Sequence, residues 1–276
     1  MKKWLLLALV TFSLSILAAC TALPCQPATL PPQTFDPATI KSINVNVDSG
    51  SVSVTGTKDK VIALSGSQGC MQGSTLRVSS ANDALIVTGA AQKHLFQHST
   101  DTQVEIDLKV PVGIPLQVTT DDANVSLLQY NGKLKVDSVA GNITAQALSG
   151  EAQLRSGRGN VTLGDSSGVF HVLGEHGILD IESSHGSIDS STIMGTIQYQ
   201  GTPGTGDSIH FEVDHGPITI ALGKDSDLTM IASSTSGDVA CMVPGLLQSG
   251  RGCSGVLDKG SATFYIRTVS GSITIQ

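Results

Sequence analysis

Apolar and polar residues alternate through the middle of the chain, and the alternation returns every eighteen residues. Leu116, Leu134, Ala152 and Phe170 hold position one of four successive copies. Val118, Val136, Leu154 and Val172 hold position three; Val125, Ile143, Val161 and Leu179 hold position ten; Leu127, Ala145, Leu163 and Ile181 hold position twelve. The residues between them are mostly polar, among them Lys135, Asp137, Thr144, Gln153, Arg155 and Thr162. Period two predicts two short strands per copy, each with one face turned inward. Glycine stands at position eight (Gly141, Gly159, Gly177) and at position seventeen (Gly132, Gly150, Gly168, Gly186), where it predicts turns that need positive φ. The mature chain shows no long run with the 3.6-residue period of a helix.

One copy has too little structure to bury its own apolar face, but stacked copies bury each other's. The pattern therefore predicts an all-β fold: a single-chain parallel β-helix, or β-solenoid, with coils of about eighteen residues in the middle and irregular coils at both ends. Neighbouring coils would lie ~4.8 Å apart and bond as parallel strands. Asn124, Asn142 and Asn160 share position nine, which predicts an internal asparagine ladder. They also form N-x-S/T sequons, read here as stacking positions and not as sugar acceptors.

Outside the block the same signature is looser. SGSVSV (Ser49–Val54), HGSIDS (His185–Ser190), HGPITI (His215–Ile220), SGDVAC (Ser236–Cys241) and SGSITI (Ser270–Ile275) each place a glycine before a β-like alternation. The repeat is expected to become irregular after Gly186, with Gly195 as the next position-seventeen glycine and Gly201–Ser208 as a loop insertion. Strands before Leu116 read as hairpins or wider coils. Ser272 to Gln276 reads as an exposed final strand at the end of the solenoid.

The first nineteen residues have another character. Lys2 and Lys3 precede an apolar run from Trp4 to Ala19, shorter than the ~20 residues of a membrane-spanning helix. This is the layout of a secretory signal. Leu17-Ala18-Ala19-Cys20 resembles the bacterial lipobox, which implies cleavage before Cys20 and lipid attachment to it, with palmitate among the acyl groups. The alternative is an ordinary signal peptide cut near Ala19. The lipid would be the sole anchor, placing the domain outside the cytoplasm on the cell membrane or the outer membrane. Five prolines between Pro24 and Pro37 read as a tether over residues 20–38. The solenoid is then expected over 39–276.

Composition narrows the partners. The net charge is −7, and it becomes more negative once Lys2 and Lys3 leave with the signal. No basic block occurs, so nucleic acid is excluded as a partner. Four further cysteines sit in an exported chain, where disulfides form. Cys241 and Cys253 bracket a Pro/Gly loop and are expected to pair, leaving Cys25 with Cys70 by elimination. A zinc site is weaker, because no C-x-x-C spacing occurs.

Recurrent S-G-[SDN]-[IV]-x-[IVL] strands, the lead-in DLKVPVG (Asp107–Gly113) and the closing TVSGSITI resemble the exported putative-adhesin family with β-strand repeats, over roughly residues 43–276. The resemblance implies a parallel β-helix, a surface or envelope location, and an adhesive or envelope-stress role. It implies no catalytic residue and no cofactor.

The enzyme alternative rests on carboxylate pairs: Asp121 with Asp122, Asp180 with Glu182, and Glu212 with Asp214. Asp180 and Glu182 alternate on one strand about 7 Å apart, within reach of glycoside hydrolysis. Outward positions of a solvated strand are ordinarily polar, and the only tryptophan, Trp4, lies in the signal, so a sugar-cleaving cleft is disfavoured. His176, His185 and His215 each precede glycine, but His176 and His185 fall on opposite edges of a coil, so no metal is expected. Gly206-Asp207-Ser208 is too short to mark a nucleophile. Ser126, Thr144 and Thr162 form an outward hydroxyl column that Asp180 interrupts, which argues against an ice-binding face. The reading is a lipid-anchored, non-catalytic adhesion or binding module for a periodic polysaccharide, cell-wall or envelope partner. The alternative is an envelope sensor or spacer without a ligand. An apolar or aromatic patch on the outer face would favour binding.

Overall fold

The computed structural model describes residues 28–69, 75–90 and 103–276. Every regular element in them is a strand, and all belong to one 21-stranded sheet that winds as a solenoid. The eighteen-residue register is kept in the bonding. Leu116 pairs with Leu134, Ala152 with Leu134 and Phe170, and Val161 with Ile143 and Leu179, all in parallel. Stacking like on like puts the apolar positions in continuous inward columns, and Leu116, Val118, Val125 and Leu127 are each buried, as are their equivalents in the next coils. Each such side chain contributes roughly 1.5–3 kcal/mol by burial.

The strict register runs one coil further than the sequence suggests. Phe170 pairs with Ile188, Leu179 with Ile197 and Gly177 with Gly195. Gly195 is therefore a position-eight glycine, not a position-seventeen one. In this coil Tyr199 takes the inward place of Ile181, and small Ser190 takes that of Val172. A large ring and a short side chain thus share the interior of one coil.

The two glycine sets serve different purposes. Gly132, Gly150, Gly168 and Gly186 have positive φ and bend the start of a strand. Gly177 also has positive φ, but Gly141 and Gly159 do not. A Cβ on Gly141 would overlap the carbonyl oxygen of Ala123, and one on Gly159 that of Gly141. Coil-to-coil approach, not backbone angle, is what demands glycine there. The column continues through Gly195, Gly216, Gly271 and Gly237, each lying over the carbonyl of the one before. Thus SGSITI, HGPITI and SGDVAC belong to this column, whereas HGSIDS carries the position-seventeen glycine.

Buried hydroxyls line the same corner. Gly141 and Gly159 donate their amide hydrogens to Ser138 Oγ and Ser156 Oγ at 2.8 and 2.9 Å. Ser156 Oγ donates to the Gly141 carbonyl at 3.0 Å. Gly237 and Ser234 repeat the arrangement, with Ser234 Oγ donating to Gly271 O at 2.9 Å. This serine ladder is the internal polar column. The asparagine ladder exists but faces outward: Asn124 Oδ1 accepts the Asn142 amide, Asn142 Oδ1 that of Asn160, and Asn160 Oδ1 that of Ile178, at 2.8–3.0 Å, with all three asparagines exposed. Its internal placement is corrected. The core side of the corner goes to the shorter serine side chains.

The ends break sequence order. The strand Ser42–Thr57 lies between 84–89 and 104–111 on one side and Leu116–Leu128 on the other. At the far end, Ala262–Ser270 and Ile273–Ile275 lie between 208–222 and 228–241. Each end thus holds a coil slotted in second from the edge. The expected exposed final strand is corrected, since Ile273–Ile275 is bonded on both sides. Antiparallel strands cap the stack: Thr75–Ala81 on Ala84–Ala90, Ile62–Gln68 on Val104–Pro111, and Gly252–Leu257 on Leu228–Ser234.

The expected tether is shortened. Ala28–Phe35 is a strand paired antiparallel with Ile62–Gln68, despite Pro31 and Pro32. Its register slips between Leu30 and Gln33, so the two prolines sit in an irregularity where a missing N–H costs least. The signal segment, Cys20, and the expected Cys25–Cys70 pair lie outside the described residues. Cys241 and Cys253 are disulfide-bonded, with their Cα atoms 5.8 Å apart. The bond ties the outermost coil to its capping strand.

Candidate functional site

Parallel register carries outward side chains into rows just as it carries inward ones. Position two of each coil gives Gln117, Lys135 and Gln153, then His171, Asp189, His210, Tyr265 and Ile231. The first part of the row is hydrophilic. The second part concentrates functional groups. Asp189 lies between two imidazoles, with Oδ1 3.2 Å from His210 Nδ1 and Oδ2 3.6 Å from His171 Nδ1. The His210 ring packs against the Tyr265 ring with centroids 5.1 Å apart. Tyr265 is 46% exposed and Ile231 53% exposed. Tyr265 is the only exposed aromatic among the described residues. Beside this row, on the same face, Arg267 Nη1 and Glu212 Oε1 form an ion pair at 3.0 Å.

The three histidines that precede glycine lie outside this row. His176 and His215 are exposed at a corner, and His185 lies elsewhere, holding a loop. Its Nδ1 is 3.1 Å from Asp207 Oδ2, and the nearly buried Asp207 also accepts the amides of Gly186 and Gly204 at 2.7 and 2.6 Å. Asp207 thereby pins the 201–208 insertion to the coil beneath. His171 and His210 carry no sequence motif, and no constant spacing relates them. A three-residue insertion separates their coils, so only the pairing in space lines them up. Among the described residues no group of three or more His, Cys, Asp and Glu could hold a metal ion.

The carboxylate pairs do not converge. Asp121 and Asp122 are exposed at a corner. Glu212 is engaged by Arg267, and Asp214 points outward at the next corner. Asp180 and Glu182 share a strand face, as expected, but their neighbours in the flanking coils are Thr162 and Gln198, and Gly164 and Gln200. Partial burial raises the Asp180 pKa. The hydroxyl column Ser126, Thr144 and Thr162 is bonded in register and continues into Asp180. Asp227 has a lowered pKa, because the Ser261 hydroxyl and then the Ser261 amide donate to it. It fixes the turn before Ala262–Ser270.

Residues 28–276 match the family described as Toastrack DUF4097. The chain belongs to that family. Among solved structures, a putative adhesin from Bacteroides fragilis is 13% identical, covers 91% of this chain and 97% of its own length, and gives a TM-score of 0.53. This supports the Toastrack solenoid as the fold. A putative cell adhesion protein from Clostridium sporogenes, also 13% identical over 91% of this chain and 99% of its own, gives 0.32. A putative adhesin from Parabacteroides merdae, 10% identical over 91% and 97%, gives 0.28. No curated protein sequence matches this Toastrack chain.

Proposed function

We propose that this chain is an exported, lipid-anchored, non-catalytic adhesin-like module whose outer face binds a periodic polymer of the envelope or its surroundings. The observation that carries the reading is the register itself. Outward groups such as Lys135, Gln153 and His171 recur once per coil in straight rows, at the ~4.8 Å spacing of bonded strands. A rigid surface with a fixed repeat offers equivalent contacts to a partner with a repeat of its own. The outer face also changes from hydrophilic to aromatic and apolar along its length, unlike the uniform face of a passive spacer. The carboxylates that chemistry would need are separated or already paired.

A lipid on Cys20 would hold the domain at the membrane surface, and a Cys20→Ser variant tests it. Loss of detergent partitioning or of signal cleavage is expected, and unchanged partitioning overturns the anchor. The binding reading is tested by incubating the protein without its lipid, residues 22–276, with insoluble cell-wall and polysaccharide fractions. Depletion from solution by one polymer, competed by its soluble fragments, is the expected outcome. No depletion by any fraction overturns it in favour of a sensor or spacer.

A further inference from the structure

We propose that the row His171, Asp189, His210, Tyr265 and Ile231 is a binding track for a neutral, N-acetylated pyranose polymer, with one sugar ring stacked on Tyr265. This rests on the binding reading above and gives it a place and a ligand class.

Four observations select that chemistry. First, an exposed phenol on a flat strand face offers a ring surface to the apolar face of a pyranose, and among the described residues Tyr265 alone does so. His210, packed 5.1 Å from it, buttresses the ring, so little side-chain freedom is lost on binding. Second, the row supplies planar hydrogen-bonding groups in line with the ring: two imidazoles around Asp189, and the Glu212–Arg267 pair alongside. Third, the one arginine of this patch, Arg267, is already paired with Glu212, and the chain as a whole is acidic at −7. A polyanion is repelled by the overall field, and the patch has no unpaired cationic cluster to hold one. A neutral ligand fits. Fourth, Ile231 stands beside Tyr265 in the next coil, more than half exposed. The methyl of an acetamido group adds apolar surface to set against that side chain, beyond what the C–H face of a sugar ring supplies. The five residues span four coil intervals, roughly 19 Å, room for a run of several sugar rings.

The probes are the soluble β-1,4-linked hexamer of N-acetylglucosamine, the corresponding glucose hexamer, and alginate as a polyanion, titrated calorimetrically into residues 22–276. The N-acetylglucosamine hexamer is expected to bind, with the other two weaker. Tyr265→Ala is expected to weaken binding about tenfold or more, and Ile231→Ser to weaken it while narrowing the gap from the glucose hexamer. Thr144→Ala, in the outward hydroxyl column of the coil's other strand, is the control and should bind as the parent does. All three positions face solvent, so thermal unfolding checks that each variant is folded. Equal binding by Tyr265→Ala overturns the track, even if the insoluble-polymer assay shows depletion and so leaves the binding module standing. Equal affinity for the two neutral hexamers overturns the acetamido assignment. Depletion by no polymer overturns both the track and the module.

Discussion

Ser156 receives the amide hydrogen of Gly159 at its hydroxyl and passes its own hydrogen to the carbonyl of the coil beneath. The hydroxyl is fully buried. Ser156→Ala leaves the Gly159 amide without a partner and the Gly141 carbonyl with only the longer bond from Ser138 Oγ at 3.3 Å. An expected loss of about 1–3 kcal/mol follows from orphaning buried polar groups. Urea unfolding followed by circular dichroism measures it, and a midpoint equal to the parent's shows that water replaces the hydroxyl.

Gly159→Ala tests the other half of that corner. The added methyl has no room against the Gly141 carbonyl, so the two coils must move apart. Destabilisation of about 3 kcal/mol, the upper end for an ordinary substitution, is expected. Gly113→Ala is the contrasting case. It has positive φ but open space around it, so only the backbone cost of roughly 1 kcal/mol applies.

A stabilising change is available at the opposite corner. Gln129, Ala147, Asp165 and Ser183 occupy position fourteen of successive coils, each with φ between 44° and 54°. The left-handed region costs a side-chain-bearing residue about 1–2 kcal/mol. Ala147→Gly removes that cost and adds the smaller entropic penalty of glycine in the unfolded chain. A net gain of about 0.5–1 kcal/mol is expected. A lower melting temperature for the variant contradicts the corner geometry.

Most of the fold is legible in the residues, and these corners show where legibility stops. Period two, the eighteen-residue recurrence and the position-eight glycines specify strands, register and stacking, because each reflects a side chain's own preference for burial or absence. Position fourteen leaves no trace. Its residues, Gln, Ala, Asp and Ser, share no property, and the backbone angle is imposed by the coils above and below. The binding row is hidden for a related reason. His210 and Tyr265 are neighbours across a jump in chain order, and no linear spacing reports a partner inserted from elsewhere in the chain.

Asp180 supplies a pH dependence. Its raised pKa means that burial disfavours the ionised form in the folded state. The sign follows: the folded protein holds its proton more tightly than the unfolded chain, whose aspartate titrates near 3.9. Stability from this group is therefore complete below that value and lost as pH rises through the folded pKa. Asp180→Asn is expected to melt higher than the parent at pH 7 and to lose that advantage at pH 3. Parallel melting curves at both pH values contradict it.

Reducing Cys241–Cys253 tests the cap. Closing a loop with a sequence separation of 12 is worth about 2–4 kcal/mol in the chain-entropy account. In a stack of nearest-neighbour contacts the loss should stay local. Hydrogen exchange is expected to quicken across 228–257 after reduction, while Val161–Gly164 remains as protected as before.

The coils slotted in at both ends bear on mechanics. A solenoid wound in sequence order presents its terminal strand as a free edge, and a pull on that strand parts its hydrogen bonds one at a time, as a zipper opens. Here a load on the last strands meets bonds along two flanks together, at 208–222 and 228–241. The strand Ser42–Thr57 is gripped in the same way. Force applied along these strands must shear both ladders at once. Under a load along the strands, that wedging converts a peel into a shear without adding a single covalent bond.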